Sequence, residues 1–116
     1  MTNLELVAAE LAAAKKKHPH FCDQLVATNP PMTWSASEVA IKLHNATGPF
    51  SADCIIMEEL AEAFAAVEHG DLAHARQELA QCAAVCIRAM EQIEVEVNAR
   101  NTEHTNTTTS QGDTTP

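Results

Sequence analysis

The residues best suited to do chemistry in this chain are glutamates. Glu58, Glu59 and Glu62 form one run, and Glu78 follows after a break, with Gln81 three residues beyond it. On a helix, positions i and i+3 stand about 60° apart, so Glu59 and Glu62 share one side, as do Glu78 and Gln81. The Gly70-Asp71 turn between the two runs predicts antiparallel neighbours, which bring the two flanks together as a carboxylate cluster at the edge of a core. Like charges held that close repel unless a cation sits between them. Hard oxygen ligands of this kind suit Mg²⁺ or Mn²⁺, with no His or Cys required. A single glutamate beside an apolar stripe is ordinarily a solvated helix residue; it is the paired set on two adjoining helices that points to a metal.

The elements that must carry these residues read as helices. The chain has 116 residues, is 46% hydrophobic, and contains one Trp, no Tyr and three Phe. An Ala-rich interior of that kind suits closely approaching helices and excludes a fold built on β-branched and aromatic strands. Leu4, Val7, Leu11 and Ala14 predict an amphipathic first helix ending before Pro19, with Lys15, Lys16 and Lys17 favourably placed at its C-terminal end. Residues 18–34 read as an irregular connection. Ser35 with Glu38 predicts a capping box opening a second helix to about residue 45, before a break at Gly48-Pro49. Ser51 or Asp53 caps a third helix with Ile56, Leu60, Ala63 and Val67 in one stripe and Phe64 beside it. Gly70 ends that helix, and Asp71 caps a fourth with Ala75, Leu79, Cys82, Cys86, Met90, Ile93 and Val97 on one face. From Asn98 the sequence is polar and Thr-rich with nothing to bury, which predicts a disordered tail over 98–116 beyond an all-α domain of residues 1–97. A core this small is expected to gain stability by self-association.

Charge narrows the partners. A net charge of −9 with one short basic run argues against a nucleic-acid polymer, whose phosphates need a broad Lys/Arg footprint. No apolar run approaches the roughly 20 residues of a membrane span, and Glu5 and Glu10 stand where a signal peptide would be basic, so a cytoplasmic location is expected. The four cysteines form no CxxC pair. Cys82 and Cys86 are spaced to offer two zinc ligands, but they fall in the apolar stripe of the fourth helix and are expected as free thiols.

Glu58-Glu59-x-x-Glu62, a spacer with a Gly-Asp turn, and then Glu78-x-x-Gln81 resembles the EExxE…ExxD pattern of the MazG-like all-α nucleoside triphosphate pyrophosphohydrolases, including the small phage and bacterial members. The match covers roughly residues 50–95, with residues 1–49 matched loosely, and departs at one position, where Gln81 replaces the family aspartate. The resemblance implies a four-helix antiparallel bundle completed by oligomerisation, as a dimer or tetramer. It implies hydrolysis of a (d)NTP to (d)NMP and pyrophosphate, with water attacking the α-phosphorus and Mg²⁺ (or Mn²⁺) as cofactor. Glu59, Glu62 and Glu78 would then be metal ligands, Glu58 a further ligand or the base that orients water, and Gln81 a weakened ligand, since its carbonyl brings no charge. The candidates for phosphate are Lys15, Lys16, Lys17, Arg76 and Arg88, with Arg88, on the flank expected to carry the cluster, and Lys17 foremost. Trp34 and Phe21 are able to stack on a base, but neither is assigned to a site. The alternative is a non-catalytic helical scaffold, or a nucleotide-binding regulator, with a partly lost site.

Overall fold

The computed structural model describes residues 1–116 apart from Pro49, Thr115 and Pro116, together with the side chains through Glu103 except that of Pro49. It contains four helices, α1 (Asn3–Lys17), α2 (Trp34–Asn45), α3 (Ala52–Glu68) and α4 (Leu72–Thr114), and no strand among the described residues. The chain is all-α.

Local chemistry sets most of the helix ends. Thr2 and Glu5 form a capping box at α1: Thr2 Oγ1 accepts from the Glu5 amide at 3.1 Å, and the Thr2 amide donates to Glu5 Oε1 at 3.2 Å. At α2 the expected Ser35–Glu38 box does not form. Thr33 is the N-cap, accepting from the Ala36 amide at 3.2 Å, and Ser35 lies inside the helix. A distant residue completes this cap: Glu68, at the end of α3, accepts from the Trp34 and Ser35 amides at 2.9 Å each and from Ser35 Oγ at 3.0 Å. Those bonds, with the Trp34 amide foremost, hold the Glu68 carboxyl below its ordinary pKa. Ser51 is the N-cap residue of α3 without a side-chain bond, while Asp53 accepts from the Cys54 amide at 2.9 Å. The expected break at Gly48-Pro49 falls in the connection between α2 and α3, Pro49 itself lying outside the described residues.

The turn between α3 and α4 follows the sequence expectation closely. Gly70 has φ +79°, the Asp71 amide donates to the Ala66 carbonyl, and the Gly70 amide donates to the Val67 carbonyl, each at 3.0 Å. This is a Schellman motif, and glycine supplies its left-handed residue without steric cost. Asp71 then accepts from the His74 amide at 3.1 Å, opening α4.

Packing centres on α3, which lies between α2 and α4. The buried core is Ala61, Ala63, Ala65 and Ala66 of α3 with Ala75 and Cys82 of α4. Small side chains on both helices bring the backbones close, leaving little room for bulky residues at the contact. The stripes read from sequence are therefore shifted. Ile56, Leu60 and Val67 are half-buried at the edges, while Leu79, Cys86, Ile93 and Val97 of α4 are exposed. Trp34 packs on Phe64 with ring centroids 5.2 Å apart, joining α2 to α3.

Two parts of the chain stand away from this core. α1 meets only α4 and buries none of its residues. α4 continues as helix to Thr114, past Asn98 where the sequence predicts a disordered tail; residues 91–103 are exposed throughout. Extending an existing helix costs far less than nucleating one, so the polar residues 98–103 follow the helix they are attached to even though they are exposed. Thr115 and Pro116, the end of the expected tail, lie outside the described residues.

Candidate metal centre

The antiparallel α3–α4 pair brings three of the four glutamates together. Glu59 and Glu62 project from adjacent turns of α3 and Glu78 from α4, each offering a carboxylate oxygen within 4.8 Å of the others. Among the described residues these are the His, Cys, Asp or Glu side chains grouped closely enough to hold an ion. Glu78 is only 7% exposed, and Glu59 and Glu62 are half-buried.

Two oxygens in this cluster, Glu59 Oε2 and Glu78 Oε2, are buried without a hydrogen-bond partner. A buried acceptor left unpaired costs about 1–3 kcal/mol, more when it is charged. Burial pushes the Glu59 carboxyl above its ordinary value, helped by the neighbouring charges of Glu62 and Glu58. Burial, followed by the contact with Glu78, raises Glu62 as well, although Lys42 opposes the shift. Burial and the neighbouring carboxylates both penalise negative charge on Glu59 and Glu62, and a divalent cation would relieve both at once. The donor set, three carboxylates with free oxygens, fits Mg²⁺ or Mn²⁺.

A cleft of about 410 Å³ opens beside the cluster, with Glu38, Lys42, Glu62, His69, His74 and Glu78 in its wall. Lys42 Nζ lies 2.8 Å from Glu38 Oε1 and 3.5 Å from Glu62 Oε1, and Glu38 is the main cause of its raised pKa. His74 Nε2 lies 3.5 Å from Glu78 Oε1. Sequence reasoning missed Lys42, Glu38 and His74. Glu38–Lys42 and His74–Glu78 are legible as i, i+4 pairs, but only the packing of α2 against α3 turns Lys42 toward the carboxylates.

The remaining candidates fall elsewhere. Glu58 is half-buried and adds to the charge felt by Glu59, but stays outside the group of three. Gln81 is exposed and does not line the cleft. Arg88 does not accompany the cluster as expected; it is exposed, ten residues or about 15 Å along α4 from Glu78, in a separate groove beside Ala52, Ile55 and Ile56. Lys17 closes α1 and is exposed, away from the residues that line the cleft. Phe21 is 90% exposed and Trp34 is committed to Phe64. All four cysteines are free thiols, but Cys86 is exposed rather than buried in the stripe. No helix of the described residues is long and apolar enough to cross a membrane. Neither a protein-family model, nor a curated protein, nor a solved structure matches the chain.

Proposed function

We propose that the chain is a divalent-metal-dependent nucleoside triphosphate pyrophosphohydrolase of the MazG-like kind, working as a homo-oligomer in the cytoplasm. The observation that carries the metal is the pair of buried, unpartnered oxygens on Glu59 and Glu78 within a group of three carboxylates. The triphosphate substrate is supported by the EExxE…Exx pattern on which those carboxylates fall.

In this reading Glu59, Glu62 and Glu78 would hold Mg²⁺ or Mn²⁺. The bound ion would neutralise the triphosphate and favour attack of water on its α-phosphorus, releasing (d)NMP and pyrophosphate. Glu58, next to Glu59 on the half-buried side of α3, is the carboxylate left over to accept a proton from water. Lys42, held at the cleft by Glu38 and near Glu62, offers the ammonium for a phosphate oxygen, the part expected of Arg88 and Lys17. Gln81 contributes no charge and is exposed, so the site is poorer by one carboxylate than the family pattern.

That departure favours a second reading, in which the cluster binds metal and nucleotide as a regulator, or serves a scaffold, without turnover. Pyrophosphate release from a panel of dNTPs and NTPs, with Mg²⁺ and with Mn²⁺, separates the two readings. Under the first, wild type releases pyrophosphate and Glu62→Ala does not. Absence of release above the Glu62→Ala blank with every nucleotide excludes the enzyme.

A further inference from the structure

α1 is an amphipathic helix without a core to sit on. Leu4, Val7 and Leu11 lie along one face and are 68%, 41% and 53% exposed. The face runs on into the connection, where Leu11, Ala14, Lys15, His18, Pro19 and Phe21 wall an apolar hollow of about 730 Å³ with no wall from α2, α3 or α4. A helix of 15 residues is marginal in water on its own, and propensity alone does not hold such a segment in place. Something must cover this face.

The same chain carries a receptacle. Between the start of α3 and the middle of α4 an apolar groove of about 220 Å³ is lined by Ala52, Ile55, Ile56, Val85 and Ala89, with Arg88 and Gln92 at its side. Its own α1 does not fill it. Area points to a second copy as the occupant. The chain exposes 9085 Å², whereas a folded monomer of 12.5 kDa is expected to expose roughly 6200 Å². The surplus well exceeds the roughly 800 Å² per partner that a standard interface removes, and among the described side chains α1 and residues 91–103 of α4 are long exposed runs. Charge agrees in sum: three of the seven basic residues close α1, while the rest of the chain holds the acidic excess, including exposed Glu96 one turn beyond Gln92.

We propose that α1 is an exchanged dimerisation arm: the Leu4/Val7/Leu11 face of one copy seats in the Ile55/Ile56/Val85 groove of a second, and the second copy's arm returns the contact. Knob and hole on one chain, used reciprocally, close a two-fold dimer with no open end. The proposal names the surface behind the self-association above and does not depend on metal or turnover. Its assay reads mass rather than hydrolysis, so failure of the arm contact and failure of the metal-dependent activity are read separately.

The test is sedimentation of the full chain across a wide concentration range. Wild type is expected at the mass of two chains. Leu11→Glu, at an exposed arm position, is expected at the mass of one chain under the same conditions, with helicity by circular dichroism retained. Ala89→Glu, in the groove, is expected to behave alike; should it fail to fold, Gln92→Trp blocks the groove from an exposed position. Mixing the arm variant with the groove variant is expected to restore the two-chain mass, since one intact arm then meets one intact groove. A wild type that stays single at all concentrations, an arm variant that remains paired, or a mixture that stays single overturns the proposal. The last outcome would indicate an arm-to-arm contact instead.

Discussion

Replacing Glu78 by Gln is expected to stabilise the metal-free protein. The substitution keeps the size of the side chain and removes one of three charges lying within 4.8 Å of one another. At that separation two unit charges repel by about 0.9 kcal/mol in bulk water and by about 3.5 kcal/mol at an effective dielectric of about 20. Two of the three repulsions disappear in the variant. The lower part of the range applies, because the Glu62 side chain is still 23% exposed and Lys42 partly offsets its charge. Loss of the 3.5 Å contact with His74, which is exposed, takes back a few tenths of a kcal/mol. The new amide also supplies a donor for a neighbouring carboxylate, in a cluster where Glu59 Oε2 has none. The net gain is about 1–2 kcal/mol, or a rise in Tm of about 5–10 °C.

Divalent metal should invert that order. Binding to the folded wild type adds RT ln(1 + [L]/Kd), about 2.7 kcal/mol at a hundredfold excess over Kd, whereas the variant has lost a ligand charge and gains less. Thermal unfolding followed by circular dichroism, with EDTA and with increasing Mg²⁺ or Mn²⁺, reads both effects. A variant less stable than wild type in EDTA would refute mutual repulsion as the governing term. A wild-type Tm that neither ion moves would refute the metal site.

The raised carboxyls of Glu59 and Glu62 set a pH dependence of definite sign. An acid whose folded pKa lies above its ordinary value of 4.5 binds more protons folded than unfolded, so it subtracts stability as pH rises from that value to the raised one, and the loss is complete above it. Metal-free Tm should therefore rise as pH falls through the raised values toward 4.5, and saturating Mg²⁺ should flatten or reverse the slope; a metal-free profile flat across that interval would refute it. Glu68 has the opposite sign, its lowered carboxyl stabilising the fold until pH falls through that lowered value. Glu68→Gln should lower Tm and speed amide exchange at Trp34 and Ser35, and unchanged exchange there would show that Thr33 alone suffices as the cap. Gly70→Ala meets no neighbouring atom within 4 Å, so its cost is the left-handed φ of +79° alone. It should destabilise by about 1 kcal/mol, lowering Tm by about 5 °C, with Gly70→Asn milder; an unchanged Tm would argue against the Schellman turn.

Much of this protein is written locally. The apolar spacing of Leu4, Val7 and Leu11, the Gly70-Asp71 junction and the Asp71 cap each act within a few residues, and the four helices, the turn and the i, i+3 spacing of Glu59 and Glu62 all follow from such short-range terms. Antiparallel neighbours joined by so short a turn have little freedom, so the meeting of Glu59 and Glu62 with Glu78 was legible too. Tertiary packing decided what depends on the rotation of each helix about its own axis. Close contact through Ala61, Ala65 and Ala75 turned the buried face of α3 and α4 away from the larger aliphatic stripe, leaving Leu79 and Cys86 exposed. It placed Lys42 rather than Arg88 beside the carboxylates, and gave the start of α2 a cap from a residue more than thirty positions away. Periodicity says which residues share a side of a helix; which side faces a neighbour is settled by the volumes that fit between backbones and by charges that meet only after the helices have packed.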